Sequence, residues 1–175
     1  MFLNPKMTAL NIAEMGGIPE EAVAGHRIEY GHKAEENFES VLKKLGVEPL
    51  KENLSQEEAD KMVAERRVAA RRTFEKEDFE EGIDFHFFNP YTGRTFPMDM
   101  SVSNDEKVQS VKRERERREG IRFLPLSART LEFASRGADR DLKEIWQSVE
   151  AMLRSDALDQ ARGERVKSSR LSSPA

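Results

Sequence analysis

The spacing of apolar residues divides the chain into segments of different period. Between Gly31 and Gly46, the residues Ala34, Phe38, Val41, Leu42 and Leu45 fall at helical spacing, and Gly46 stands where a helix ends in a cap. Ahead of this segment, residues 1–30 carry Pro5, Gly16, Gly17, Pro19 and Gly25 with no sustained period, which predicts an arm or short lead-in. Residues 47–55 read as a loop. Ser55 followed by Glu58 has the pattern of a capping box and predicts a helix extending toward Phe79. Its apolar content is thin, so residues 47–81 are expected to form an exposed helical insertion.

The period changes from 3.6 to 2 after Gly82. Ile83, Phe85 and Phe87 share one face of a strand, while Asp84 and His86 take the other. Asn89-Pro90-Tyr91-Thr92-Gly93 has turn chemistry. In the second strand Phe96, Met98, Met100 and Val102 lie opposite Pro97, Asp99, Ser101 and Ser103, so the two runs predict a β-hairpin. Asn104 or Asp105 caps a helix reaching about Glu119, Gly120 ends it, and residues 121–126 form a third strand. A last amphipathic helix carries Leu142, Ile145, Trp146, Val149, Met152 and Leu153 on one stripe. From residue 159 to 175 the chain is polar and predicts a disordered tail. Residues 31–158 are thus expected to be one α/β domain, a small mixed central sheet flanked by helices.

Composition narrows the classes. Of 175 residues, 37% are hydrophobic and 35% charged, which implies a modest core under a heavily charged surface. No apolar run is long enough to cross a bilayer, and the N-terminus lacks the basic start and unbroken apolar stretch of a secretory signal. The absence of cysteine excludes disulfide scaffolds, thiolate metal sites and thiol chemistry. A soluble intracellular (cytoplasmic) protein with no membrane partner is the expectation. The net charge of −4 conceals an asymmetry, because the first 60 residues carry −6 and the remainder +2. Lys61 to Arg72 holds five basic residues against one acid, and Lys112 to Arg122 six against three. Ion-paired helix surfaces explain such runs, as the spacing of Arg113, Glu114, Arg117 and Arg118 suggests.

The candidate chemistry lies in three carboxylates. Glu35 sits at the edge of the first helix's apolar stripe, and Asp84 and Asp99 occupy the non-core faces of neighbouring strands. A helix packed across the hairpin would bring all three to one end of the sheet. Hard divalent cations take oxygen ligands of this kind, with water and substrate phosphate completing the shell.

The order and spacing of these residues resemble a known family. Gly31-x-x-x-Glu35-x-x-Phe38-x-x-x-Leu42-x-x-x-Gly46 is followed by Gly82-Ile83-Asp84 and then Asp99-Met100-Ser101 on consecutive strands, with a helix and another strand after them. Over roughly residues 31–127 this is similar to the PD-(D/E)xK, or restriction-endonuclease-like, nuclease superfamily, nearest its small branch with the archaeal Holliday-junction resolvases. The resemblance implies a restriction-endonuclease-like core and metal-dependent hydrolysis of DNA phosphodiesters. It implies Mg²⁺ or Mn²⁺ held by Asp84, Asp99 and the Met100 carbonyl, with Glu35 assisting directly or through water. Ser101 stands where the motif has lysine. Lys107 and Lys112 on the following helix are candidates to supply that charge, Lys107 being nearer in sequence, and Gln109 could also contact the site. The DNA-backbone set would be Arg66, Arg67, Arg71 and Arg72 on the inserted helix, with Arg113 and Arg117. A homodimer would suit cleavage of two strands. Two alternatives stay open: a degenerate relative that binds DNA without cutting it, and a non-catalytic protein-interaction module on the same fold.

Other residues have simpler accounts. A strand histidine such as His86 is ordinarily a hydrogen-bonded, half-buried neutral ring. His26 and His32 are six apart, which is not the spacing of a helical zinc pair. Ser101, Ser103 and His86 lack the strained elbow of a nucleophilic serine. Tyr91 and Arg94 at the hairpin tip read as turn residues with an optional phosphate contact.

Overall fold

The computed structural model of the protein describes the backbone of residues 20–73 and 82–171, and the side chains of 31–73, 82–116 and 118–163. In chain order the elements are α1 (Glu20–Lys44), β1 (Glu48–Pro49), α2 (Gln56–Ala64), β2 (Ala69–Arg72), β3 (Phe85–Asn89), β4 (Arg94–Ser101), α3 (Glu106–Glu119), β5 (Arg122–Pro125), α4 (Ala128–Ser135) and α5 (Asp139–Leu171). The strands form one mixed sheet in the order β1-β2-β3-β4-β5. β2, β3 and β4 run antiparallel in a meander, while β1 is parallel to β2 and β5 parallel to β4. The fold is therefore mixed α/β with helices flanking the sheet. Among the described residues, no helix is long and apolar enough to cross a membrane.

Strand alternation decides which side chains meet which helix. Phe85 pairs with Met98 and Phe87 with Phe96 across the β3–β4 ladder, so all four point to one face. There they meet Phe38, Val41 and Leu42 of α1, Leu131 of α4, and Ile145, Val149 and Leu153 of α5 in the main core. Phe38 sets its ring edge against Phe85 with centroids 5.2 Å apart at 85°, a favoured aromatic geometry. On the opposite face Phe88 and Ala69 pack with Leu50, Ala59 and Met62 under α2. The hairpin is tied to α5 by the buried Asn89, whose Nδ2 donates to the Leu153 carbonyl and to Asp156 Oδ2, each at 2.8 Å. Asp156 in turn accepts from Arg122 of β5 at 3.2 Å.

The helix starts follow local chemistry. Ser55 and Glu58 make the full capping box of α2, and Asp105 caps α3 through the Lys107 N–H at 2.8 Å. Gly120 closes α3.

Three expectations need correction. The inserted helix ends at Ala64, not near Phe79, so residues 47–81 are not simply helical: β1 and β2 within them join the sheet. Residues 74–81 lie outside the described part. In Val68–Arg72, Val68 and Ala70 join the main core while Ala69 joins the second cluster. That burial on alternate faces outweighs the helical preference of an Ala- and Arg-rich run. Of the expected N-terminal arm, residues 20–30 are already helical in α1, and residues 1–19 lie outside the described part. The expected disordered tail instead continues α5 to Leu171. Its start is fastened by Asp159 accepting from Arg122 at 2.8 Å and Gln160 donating to Asp156 at 3.2 Å.

Candidate functional site

The site lies at the end of the sheet where β3 begins and β4 finishes. Asp84, just ahead of β3, is fixed on both sides by backbone hydrogen bonds: its N–H donates to the Met98 carbonyl, and its carbonyl accepts from the Thr73 N–H, both at 3.0 Å. Its side chain is buried, and Oδ2 accepts the Met100 N–H at 2.6 Å. Asp99 of β4 is also buried and registers with Phe123 of β5. Its Oδ1 accepts from Lys112 Nζ at 2.6 Å, and the same ammonium donates to the Met100 carbonyl at 3.0 Å. Met100 thus offers its N–H to one carboxylate and its carbonyl oxygen to the cation that neutralises the other.

These contacts set the electrostatics. Burial pushes the Asp84 carboxyl up to about 8, and the negative charge of Asp99 pushes the same way. The Met100 N–H and the Lys112 charge oppose that rise, whereas Glu35 adds to it. Burial and the neighbouring negative charge together outweigh those opposing contacts, so the Asp84 carboxyl holds its proton well above the ordinary carboxylate range.

Glu35 projects from α1, buried, and is gripped by Arg72 of β2. Nε and Nη2 of Arg72 donate to Glu35 Oε2 at 3.0 and 2.5 Å. His32 stands one turn earlier, with Nδ1 3.7 Å from the same oxygen. Asp84 and Asp99 therefore come together, with Glu35 inside the electrostatic reach of Asp84. Among the described residues no three Asp, Glu or His side chains form a ready-made ion cage. In this arrangement Asp99 and Glu35 are each engaged by a cation of the chain itself. The donor set, two buried carboxylates and a main-chain carbonyl oxygen, is of the hard type that Mg²⁺ and Mn²⁺ take.

Other expected site residues fall elsewhere. Ser101 is buried, but its Oγ accepts the Ser103 N–H at 3.2 Å and shapes the exit of β4. Lys107 is exposed in the first turn of α3, and the amine that reaches Asp99 is Lys112. The reason is rotational: five residues advance a helix by about 140° beyond a full turn, so the two lysines cannot share a face. Gln109 shares the side of Lys112; its Nε2 is bound to the Ser103 carbonyl at 2.8 Å and its Oε1 accepts from Arg113 at 3.2 Å.

The arginine set does not lie on the inserted helix. Arg66 and Arg67 follow it in a turn, Arg66 with left-handed φ of 56°, while Arg71 and Arg72 belong to β2. Arg67 Nη1 donates to both carboxylate oxygens of Glu48, at 2.9 and 3.0 Å, and Arg71 lies 3.9 Å from Glu52. Arg66 stacks over Tyr91 at 5.2 Å, with Arg154 also over that ring at 5.7 Å. His86 is half-buried and registers with Arg71 and Pro97. The side chains of His26 and Arg117 lie outside the described residues.

One contact beside the site was not legible at all. Gly82 has φ of 57°, and a Cβ there would stand 2.3 Å from Nη1 of Arg115 on α3. Gly82→Ala combines left-handed strain with displacement of that guanidinium, two residues ahead of Asp84. It should lower stability by about 1–2 kcal/mol, measured by urea unfolding. A loss below about 0.3 kcal/mol would show that the approach to Asp84 tolerates an ordinary backbone.

No family model matches the chain, and the searches of curated proteins and of solved structures return no match.

Proposed function

We propose that the protein is a metal-dependent nuclease that hydrolyses DNA phosphodiester bonds. The observation that carries this reading is the buried pair Asp84–Asp99, joined through the two polar atoms of the Met100 backbone. The element order supports it too: α1, the β3–β4 hairpin, α3 and a parallel β5 come in the order that the resemblance implies, with β1, α2 and β2 inserted between α1 and β3.

Asp84, Asp99 and the Met100 carbonyl would hold Mg²⁺ or Mn²⁺, and Glu35 would complete the shell, through water while Arg72 holds it. A cation bound there would polarise the scissile phosphate and lower the pKa of the attacking water. Lys112 replaces the charge that Ser101 cannot provide, placing an ammonium beside the developing negative charge. Asp84 in its ionised form is the ligand, and burial beside Asp99 means that its proton must leave as the metal enters. The partner is DNA, contacted by exposed bases such as Arg113, and a second copy of the chain would serve cleavage of both strands.

The test is Mg²⁺- or Mn²⁺-dependent cleavage of plasmid and branched DNA. Asp84→Ala and Asp99→Ala are each expected to reduce the rate at least about a thousandfold, since each removes a metal ligand. Cleavage that persists in either variant would contradict the assignment.

One observation favours a second reading, a non-catalytic module that holds a protein partner. Arg67 and Arg72 spend their charge on Glu48 and Glu35 within the chain, which weakens a DNA-facing role for them. That reading predicts intact DNA with every metal and no gel shift. A DNA-binding relative that does not cut would still shift DNA, with affinity falling steeply as salt rises.

A further inference from the structure

We infer that Lys112 and the divalent cation are alternative occupants of the same two oxygens, so that Lys112 closes the site until metal displaces it. The inference rests on reading Asp84 and Asp99 as a metal site. Lys112 Nζ lies 2.6 Å from Asp99 Oδ1 and 3.0 Å from the Met100 carbonyl oxygen. Those are the two atoms a divalent ion would need, at about 2.1 Å for Mg²⁺. An ammonium and a dication cannot share that space, through both overlap and repulsion.

Displacement is sterically open to Lys112. Its side chain is 28% exposed, so the ammonium can rotate toward water. The amine also stands 5.9 Å over the Phe123 ring, so the stem retains an apolar surface to lie on when the head moves. A monovalent ion gains nothing over the ammonium it replaces, whereas a divalent ion brings a second positive charge to the Asp99 and Met100 oxygens. Lys112 would thus close the site until metal displaces it, its amine staying tethered beside the site afterwards.

The experiment measures Mn²⁺ binding to the full-length chain by electron paramagnetic resonance of the free ion. The proteins are wild type, Lys112→Met, Lys112→Arg and Asp99→Ala. Lys112→Met is expected to bind Mn²⁺ at least about tenfold more tightly than wild type, Lys112→Arg to stay within about threefold of wild type, and Asp99→Ala to lose binding. Equal or weaker binding by Lys112→Met, with binding still dependent on Asp99, would overturn the competition and leave the metal site standing. No binding by either wild type or Lys112→Met would overturn both. A second measurement needs no disruptive variant: after reductive ¹³C-methylation, Mg²⁺ should move the wild-type Lys112 methyl resonance toward those of the exposed lysines. A resonance unmoved at saturating Mg²⁺ would refute displacement.

Discussion

Asp84→Asn is expected to raise the stability of the metal-free protein at pH 8 while abolishing divalent-cation binding. The asparagine Oδ1 can still accept the Met100 N–H that Asp84 accepts at 2.6 Å, and the side chain carries no charge to be buried or to oppose Asp99. The sign of the pH effect follows from the shift. The Asp84 carboxyl titrates near 8 in the folded chain against an ordinary value of 3.8. Between those values the folded state keeps a proton that the unfolded state has released. The stability due to this group is thus complete below about pH 4 and is lost as pH rises toward 8, at up to about 1.4 kcal/mol per pH unit. The asparagine variant lacks this fall. Thermal unfolding of both proteins from pH 5 to pH 8 should show the gap widening in favour of Asp84→Asn. A constant gap would mean that burial and the neighbouring Asp99 do not hold the Asp84 carboxyl above its ordinary value.

Phe38→Ala should be the most damaging single truncation in the core near the site. Phe38 has no exposed surface and contacts Phe85 and Phe87, with ring centroids at 5.2 and 6.4 Å. Removing a buried phenyl typically costs about 3–5 kcal/mol, and for a domain of this length each kcal/mol lowers Tm by about 2–4 °C. The damage reaches the site through α1, because Glu35 stands one turn before Phe38 and relies on the helix to meet Arg72. Glu36→Ala, on the exposed side of the same helix, should change stability by less than about 0.5 kcal/mol. Guanidinium unfolding distinguishes the two, and a Phe38→Ala loss below about 1 kcal/mol would contradict the packing described for α1.

Much of the frame could be read from local chemistry. Asp105 and Gly120 delimit α3, and the alternation from Ile83 to Phe87 and from Phe96 to Met100 places two acids on one face and the aromatics on the other. β2 escaped because Ala69–Arg72 contains good helix formers and no turn residue, and its strand character comes from β3 partners 13 to 19 residues away along the chain. α4 is only eight residues long, too short to announce a period, although Ser127 caps it. At the candidate site, the nearness of Asp84 to Asp99 and the inward position of Glu35 could be expected from side-chain direction alone. Lys112 could not be separated from Lys107 by counting along the chain, because rotation about α3 decides which amine faces Asp99. Tracing i+3 and i+4 steps from the Asp105 cap through Gln109 to Lys112 would have favoured it. Arg72 as the partner of Glu35 could not be inferred without β2.

The most direct test is the anomalous scattering of Mn²⁺ in crystals of the protein. The account predicts one peak about 2.1–2.3 Å from carboxylate oxygens of both Asp84 and Asp99 and from the Met100 carbonyl oxygen, with the Lys112 ammonium withdrawn. Saturating Mn²⁺ that leaves Lys112 on Asp99, with any peak lying elsewhere on the surface, would contradict it.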